Sequence, residues 1–292
     1  MACLLPLLFL ALSSATSSLA CAGAPGNPGH HKVLPNASSE ASPYPSSTPD
    51  ITVSATLECR CGVSQFLALP HANITPAVEA KRCADYKLID ARGTNEPQGV
   101  STMFYPMIKN ILANVTGGVS LPVEYPAAPD QNTTSGENFV IGLIADGLYN
   151  CPDQKYGLFG YSQGATLMLK VLGQLNASAL DSVKSVILVG NPYRVPDKTS
   201  NVNAAGRHDT KASMGIFAAQ TVASNGTIPQ LSREIDMSGK VLDYCLEGDL
   251  VCSPNPSCSC QIPAGHLSYG LVDTVQKTAF EHVVDRLRSL PN

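Results

Sequence analysis

Charged side chains are scarce in this chain, and tryptophan is absent. Asp, Glu, Lys and Arg make up 14% of the 292 residues, the formal net charge is -4, and no run of Lys or Arg occurs. Binding of nucleic acid or of an anionic membrane surface requires a basic patch, so we expect neither as a partner. Beyond the N-terminal leader no stretch is long and apolar enough for a membrane helix, and the polar residues 285–292 do not fit a lipid-anchor signal.

Residues 1–22 are predicted to be a signal peptide. The apolar run Leu4–Leu12 is followed by small residues, and it is too short to span a bilayer. Cleavage after Ala20 or after Ala22 satisfies the small-x-small rule. A cut after Ala22 removes both Cys3 and Cys21 and leaves an even set of cysteines that can pair completely. We therefore favour Ala22 and expect a secreted, extracellular protein.

Residues 23–50 are rich in Pro, Ser, Ala and Gly and cannot bury a core. They predict a disordered linker or propeptide, followed by one folded domain over residues 51–292. Several N-x-[ST] sequons accompany the leader, and together they favour the secretory route and glycosylation. These sequons begin at Asn36, Asn73, Asn114, Asn132, Asn176 and Asn225.

The predicted domain alternates short apolar, β-rich runs with helical stretches, which is typical of an α/β fold with a parallel sheet covered by helices. The predicted strands are Tyr86–Ala91, Leu121–Tyr125, Tyr156–Gly160, Val186–Val189 and Lys240–Tyr244. The predicted helices are Val100–Asn114, Gly136–Tyr149, Ala165–Leu172 and Leu271–Arg288. Between Asn191 and Ser238 no clear period is found, so we expect a surface excursion there.

The segment Gly160-Tyr161-Ser162-Gln163-Gly164 fits the pattern G-x-S-x-G. An apolar run precedes it and a helical run follows it, which is the strand–turn–helix context of a nucleophile elbow. The two glycines permit the tight turn, and the helix N-terminus favours developing negative charge. Ser162 is therefore the predicted nucleophile, and the alternative is an ordinary glycine-rich turn between strand and helix.

A serine nucleophile needs a base, and in α/β-hydrolases the chain order is Ser, then Asp or Glu, then His. His208, His266 and His282 follow the serine. His282 lies inside the predicted last helix, and His208 lies in the irregular excursion. His266 lies on a loop directly before the last helix, where a base is usually presented, so we predict His266 as the base.

The acid that orients the base is predicted to be Asp249. It lies on the short loop Cys245–Cys252 after a late strand, and a disulfide across this loop would keep the carboxylate aimed at the imidazole. Asp243 and Glu247 are the rivals. The first is expected to point to a sheet face, and the second has a longer, less defined reach.

An oxyanion hole requires donors that are fixed in advance. The backbone N–H of Gln163, directly after the nucleophile, is one candidate. Thr94, on the loop after the first predicted strand, can offer both its N–H and its hydroxyl. For the neighbouring Arg92 and Glu96 we expect a structural ion pair rather than a catalytic role.

Taken together, these segments resemble the cutinase and acetylxylan esterase family of secreted α/β-hydrolases. The likeness runs from about Cys59 to Leu287, with several motifs in the family's order. The matching pieces are Cys83-Ala84-Asp85, Ala91-Arg92-Gly93-Thr94, Cys151-Pro152, Gly160–Ala165, Gly248-Asp249-Leu250-Val251-Cys252 and His266-Leu267-Ser268-Tyr269-Gly270.

The resemblance implies an α/β-hydrolase fold with a central parallel sheet and no lid. It also implies a Ser-His-Asp triad at Ser162, His266 and Asp249, the disulfides Cys83–Cys151 and Cys245–Cys252, and no cofactor. The chain departs from the family in a longer stretch between residues 190 and 240 and in extra cysteines. We suggest that Cys59 and Cys61 pair with Cys258 and Cys260, although local pairings remain open.

The function expected on this basis is hydrolysis of an extracellular ester polymer or a small ester by a monomer. Cutin-like polyester is the favoured substrate, partly because no Trp-lined surface exists, and acetylated xylan is the alternative. A protein of another class, a secreted effector or adhesin on the same fold, would be indicated by loss of a triad residue. All three candidate residues are present.

Overall fold

The computed structural model describes residues 81–255 and 264–288. Several predictions lie outside these residues: the signal peptide, the linker, the start of the domain, the sequons at Asn36 and Asn73, and the pairing of Cys59, Cys61, Cys258 and Cys260. The described part forms an α/β-hydrolase fold, as the sequence predicts.

Six strands form one sheet in the order β2-β1-β3-β4-β6-β5, and every neighbouring pair is parallel. Such pairing requires crossover connections, and helices occupy several of them. The strands are β1 (Tyr86–Ala91), β2 (Gly118–Pro122), β3 (Lys155–Tyr161), β4 (Val183–Val189), β5 (Asn201–Val202) and β6 (Val241–Tyr244).

Helices cover both faces of the sheet, because neighbouring strand residues contribute to two different apolar clusters. Ile89 and Leu158 belong to one cluster with residues of α2, α3 and α4, whereas Leu88 and Phe159 belong to the other with residues of α1 and α7. The helices are α1 (Tyr105–Asn114), α2 (Thr134–Asn150), α3 (Gln163–Leu172), α4 (Ala177–Ser182), α5 (Ile216–Ala223), α6 (Arg233–Met237) and α7 (Asp273–Arg288). Within the described ranges no helix is both long and apolar enough to cross a membrane.

The second strand begins and ends three residues earlier than predicted. Its register pairs Gly118 with Tyr86, and the strand ends at Pro122. The carbonyls of Val123 and Tyr125 accept hydrogen bonds from the guanidinium of Arg92, at 3.4 and 2.6 Å. A side chain thus binds carbonyls in the segment that the apolar pattern assigned to the strand.

The first helix is shorter than predicted, because it begins at Tyr105 rather than Val100. Buried carboxylates bind the backbone ahead of it: Asp90 accepts from the N–H of Ser101 at 2.7 Å, and Glu96 accepts from that of Thr102 at 3.0 Å. Pro106 stands in the first helical turn, where the missing N–H costs nothing.

The stretch between residues 191 and 238 is more than a surface excursion, and this expectation is corrected. It contains β5, α5 and α6, and Arg194 within it is only 1% exposed. The Arg194 guanidinium donates to the backbone carbonyl of Asp243 and, at 3.0 Å, to the carboxylate of Asp209. An arginine buried among carboxylates is invisible to a search for apolar periodicity, which is why the sequence did not predict its role.

The parallel strands give the domain two chemically different edges. The loops after β1, β3 and β6 carry Thr94, Ser162 and Asp249, and they meet where the carboxyl ends of the strands lie. The disulfide between Cys83 and Cys151 joins the segments that precede β1 and β3, at the opposite edge. The candidate site and this covalent link are therefore separated by the length of the strands.

Candidate active site

Ser162 occupies a strained turn between β3 and α3. Its backbone has φ 54° and ψ -114°, a conformation that side-chain-bearing residues rarely adopt. A Cβ at Gly160 would lie 2.5 Å from the carbonyl oxygen of Gly164, and one at Gly164 would lie 1.9 Å from that of Ala91. Only glycine fits at either position, so the pattern G-x-S-x-G reflects close packing of strand, turn and helix.

The imidazole of His266 joins the predicted nucleophile to the predicted acid. Its Nε2 lies 2.9 Å from Ser162 Oγ, and its Nδ1 lies 3.0 Å from each carboxylate oxygen of Asp249. With Nδ1 protonated and bound to the carboxylate, Nε2 is free to accept the serine proton. The three residues come from separate loops, and the fold brings them into one hydrogen-bonded chain.

Asp249 is completely buried, yet it is held in its charged form. Burial alone would raise the pKa of this carboxyl, but the charge and hydrogen bond of His266 act against burial. The hydroxyl of Tyr269 and the N–H of Val251 also donate to the carboxylate, and together these partners lower its pKa. An ionised carboxylate here stabilises a protonated imidazole.

Three residues to which the sequence pattern assigns no role shape the space around His266. The ring of Tyr161 lies 5.0 Å from the imidazole, centroid to centroid, and its hydroxyl donates to the His266 carbonyl at 3.0 Å. A Cβ at Gly265 would lie 2.5 Å from the Asp249 backbone nitrogen, and one at Gly190 would lie 2.7 Å from the imidazole. Gly190 directly follows the predicted strand Val186–Val189, and a glycine at the end of a strand is the sequence signal of a special turn.

Replacing Gly190 by Ala should impair the site more than the fold. The new methyl would displace the imidazole and lie 3.0 Å from Asp249 Oδ2, so we expect kcat to fall on the order of 10²-fold. The positive φ of 61° adds a stability cost of about 1–3 kcal/mol. Ester hydrolysis and thermal unfolding of the purified variant measure the two effects.

Gly142→Ala is the matched control for Gly190→Ala. Gly142 lies exposed in α2, and nothing stands within 4 Å of the added Cβ. This variant should keep full activity and gain up to about 1 kcal/mol of stability from helix propensity. Equal activity of the two variants would contradict the steric argument at Gly190.

The loop that carries Asp249 is closed by the disulfide between Cys245 and Cys252, whose Cα atoms are 5.9 Å apart. Both cysteines are buried, and the first follows β6 directly. The two disulfides that the family resemblance implied are thus present. A covalent ring of this size restricts the backbone around the carboxylate, which limits how far Asp249 can move from His266.

The predicted oxyanion donors lie on two loops at the same edge of the sheet. Gln163 is the first residue of α3, and its side chain donates to the carbonyl of Ala128 at 2.9 Å. Thr94 is half-buried on the loop after β1, and its Oγ1 accepts a hydrogen bond from Gln131 Nε2 at 3.0 Å. Gln131 thus occupies one lone pair of the Thr94 oxygen, and the hydroxyl proton is still able to donate to an oxyanion.

Arg92 and Glu96 are buried structural residues, but their direct contact differs from the expected ion pair. Arg92 Nε donates to the backbone carbonyl of Glu96 at 2.8 Å, while the Glu96 carboxylate binds other donors. Its Oε2 accepts from the N–H of Gly93 at 2.6 Å, and its Oε1 accepts from the Thr102 hydroxyl at 2.7 Å. These bonds fold the loop that carries Thr94.

The other candidates for the base and for the acid do not take part in this hydrogen-bonded chain. The exposed His208 pairs with the backbone of Val202, and His282 contacts the carbonyl of Lys240 at 3.1 Å. Burial lowers the pKa of the His282 imidazole. Glu247 is exposed. Asp243 is buried, and its Oδ1 lies 3.4 Å from Nη1 of Arg194.

Comparison with known proteins identifies relatives of the chain. A family model described as Cutinase matches residues 82–287. A probable carboxylesterase of Mycobacterium tuberculosis, Culp3, is 28% identical over 217 residues, which cover 74% of this chain and 74% of the relative. A cutinase of Botryotinia fuckeliana is 29% identical over 125 residues, or 40% of this chain and 62% of that protein.

Solved structures extend the comparison to the fold. A cutinase-like protein from Cryptococcus sp. is 35% identical with a TM-score of 0.60, and the match covers 70% of this chain and 96% of that one. The catalytic core domain of acetyl xylan esterase from Trichoderma reesei is 22% identical with a TM-score of 0.55, covering 70% and 100% of the two chains. At that identity the second likeness concerns the fold alone.

Proposed function

The chain belongs to the cutinase family of serine carboxylic ester hydrolases, and from that premise we propose that it cleaves cutin-like polyesters outside the cell. The observation that carries the proposal is the imidazole of His266, bonded through its two nitrogens to Ser162 and Asp249. This is the arrangement that acyl transfer through a serine requires.

In the first half of the proposed reaction, Ser162 Oγ attacks the ester carbonyl carbon while His266 Nε2 takes the hydroxyl proton. The carbonyl oxygen becomes an oxyanion, which accepts hydrogen bonds from the backbone N–H of Gln163 and from Thr94. The tetrahedral intermediate collapses as the carbon–oxygen bond to the alcohol breaks. His266 gives its proton to the departing alkoxide, and an acyl-serine remains.

In the second half, water replaces the alcohol and the roles reverse. His266 takes a proton from water, the resulting hydroxide attacks the acyl carbon, and the same donors hold the second oxyanion. Ser162 leaves with the proton from His266, and the carboxylic acid is released. Asp249 stays ionised throughout, which its lowered pKa favours, and it keeps the imidazole in the productive tautomer.

A polyester is favoured over acetylated xylan as the substrate. The cutinase-like protein from Cryptococcus sp. is 35% identical to the chain, whereas the acetyl xylan esterase is similar at 22% identity. Carbohydrate-binding surfaces often rely on tryptophan, and the chain has none.

Secretion is part of the proposal and rests on the leader, the sequons and the cysteines. Disulfides persist in oxidising compartments, and two are present in the described residues. The sequon asparagines Asn114, Asn132, Asn176 and Asn225 are all exposed, so a glycan could be added at each without opening the fold. We propose an extracellular glycoprotein.

Rates on defined substrates test the proposal. The purified protein should hydrolyse a short-chain chromogenic ester, and it should release more acid from cutin oligomers than acetate from acetylated xylan at matched ester concentration. A phosphonate inhibitor should label the protein once, and the added mass should lie on the peptide that contains Ser162. Faster deacetylation of xylan would overturn the substrate assignment, and no hydrolysis of any ester would support a secreted effector instead.

A further inference from the structure

Tyr269 is a fully buried tyrosine that the proposed reaction does not use. It lies three residues after His266, in the 3-10 turn Tyr269–Leu271. Its hydroxyl donates to Asp249 Oδ2 at 2.6 Å, a short bond of the kind that charged acceptors form. The same hydroxyl accepts from the N–H of Leu246 at 3.1 Å.

The Tyr269 hydroxyl completes the set of donors around the Asp249 carboxylate. Oδ1 accepts from the N–H of Val251 at 2.8 Å, Oδ2 accepts from the Tyr269 hydroxyl, and His266 Nδ1 lies equidistant from both oxygens at 3.0 Å. With one further donor on each oxygen, the carboxylate cannot rotate without losing a bond. Its plane, and thus the direction in which the imidazole is held, depends on Tyr269.

Tyr269 is itself held in place from two sides. Leu246 belongs to the ring closed by Cys245 and Cys252, so the hydroxyl ties this ring to the turn after His266. The backbone carbonyl of Tyr269 accepts from Gln276 Nε2, in α7, at 3.0 Å. The tyrosine therefore links the loop that carries the acid, the segment that carries the base, and the last helix.

We propose that Tyr269 is a positioning residue that acts through Asp249 to orient the imidazole of His266. This inference rests on the proposed esterase function. Tyr269 is completely buried, and its hydroxyl donates to Asp249 rather than to Ser162, so its effect must pass through the carboxylate.

The charges around Tyr269 keep it in the role of donor. Burial and the negative charge of Asp249 raise the pKa of its hydroxyl well above the usual value, and the positive charge of Arg194 acts in the opposite direction. The phenol is thus protonated throughout the pH range in which an esterase works. No change in its own ionisation will contribute to a pH profile there.

Tyr269→Phe removes the hydroxyl and keeps the ring. Hydrogen bonds to charged groups are the stronger ones, so we expect kcat to fall about 10-fold to 100-fold with an unchanged KM. The Asp249 carboxylate, deprived of a donor, should also stabilise the imidazolium of His266 more strongly. In a plot of kcat against pH, the midpoint of the rise from acid to neutral pH should therefore move to higher pH, by up to about one pH unit.

Tyr86→Phe is the matched control, because Tyr86 is also buried and also donates one hydrogen bond, to the carbonyl of Val115 at 2.5 Å. It lies at the start of β1, at the edge of the sheet opposite the triad. This variant should lose stability without a change in kcat or in the pH midpoint. A Tyr269→Phe enzyme with the kcat and midpoint of the wild type, or one that only matches Tyr86→Phe, would overturn the inference.

A double-mutant cycle separates positioning from simple structural support. If Tyr269 acts through Asp249, then Tyr269→Phe should have little further effect on kcat in an Asp249→Asn background. Multiplicative losses in the double variant would overturn the inference. Failure of the proposed function looks different, because the wild-type protein itself would then hydrolyse no ester.

Should Tyr269→Phe not fold, the wild-type protein offers an independent measurement. A buried hydroxyl bound to a carboxylate exchanges slowly with water, so a protected tyrosine hydroxyl proton should appear far downfield in the proton NMR spectrum. Its resonance should shift as acid protonates Asp249. A Tyr269 hydroxyl proton in rapid exchange with water at neutral pH would overturn the inference.

Discussion

Ser162→Ala should lower kcat for ester hydrolysis by about 10⁶-fold while leaving the folded structure intact. The attacking oxygen is removed, so the imidazole of His266 has no proton to take and no acyl-serine forms. Alanine can occupy the same strained turn, since only the Oγ is lost and the backbone at φ 54° is held by neighbouring strands. Residual hydrolysis should come from the oxyanion donors acting on bound water.

The loss in Ser162→Ala is measured with a chromogenic ester and with covalent labelling by a phosphonate. Ser224→Ala is a suitable control, because Ser224 lies exposed at the end of α5 and binds only backbone carbonyls of its own helix. The control should retain full activity and full labelling. Labelling at a serine other than Ser162, or activity that survives Ser162→Ala, would show that the nucleophile has been assigned wrongly.

Asp249→Asn should lower kcat by about 10⁴-fold. The amide group of asparagine would donate to the imidazole where a carboxylate accepts, so His266 would be held in the tautomer that cannot accept the serine proton. The charge that stabilises the imidazolium would also be lost. Asp181→Asn, on the exposed surface of α4, is the control and should leave kcat unchanged.

The same substitution should alter how stability depends on pH. The folded protein lowers the pKa of Asp249, so the charged carboxyl stabilises the fold above its unfolded pKa of about 3.9. This contribution is lost as the pH falls through the folded pKa. Thermal unfolding of the wild type should therefore show a loss near and below pH 4 that is smaller in Asp249→Asn. An identical pH dependence in both proteins would contradict the assignment.

The sequence predicts the regular parts of the fold well because their signals are local. The strand Tyr86–Ala91 lies where its apolar run predicted, and the helix after Ser162 differs by two residues at its start. Errors arise where a distant side chain decides the outcome. Arg92 binds the carbonyls at 123 and 125, and buried carboxylates bind the turn ahead of α1, so neither boundary is visible in the local pattern.

The same distinction between local signals and distant contacts applies to the candidate site. Ser162, Asp249 and His266 stand out in the sequence because each occupies a loop with a distinctive neighbour, such as a glycine or a cysteine. Tyr269 and Gly190 do not, although Tyr269 belongs to the motif that begins at His266. Their importance depends on three-dimensional proximity, for Gly190 is 76 positions from the imidazole that its missing side chain accommodates.

The buried arginine described above also limits how this chain can be shortened. Arg194 enters the core from the stretch between β4 and β6, where it donates to the backbone carbonyl of Asp243 and forms an ion pair with its carboxylate. Deleting the stretch would remove Arg194 and also Asn191, whose side chain donates to the same carboxylate at 2.8 Å, so Asp243 would be left in the core without either partner, at a cost of several kcal/mol. A more compact descendant or engineered version must therefore exchange Asp243 for an apolar residue in the same step, so that insert and strand change as one unit.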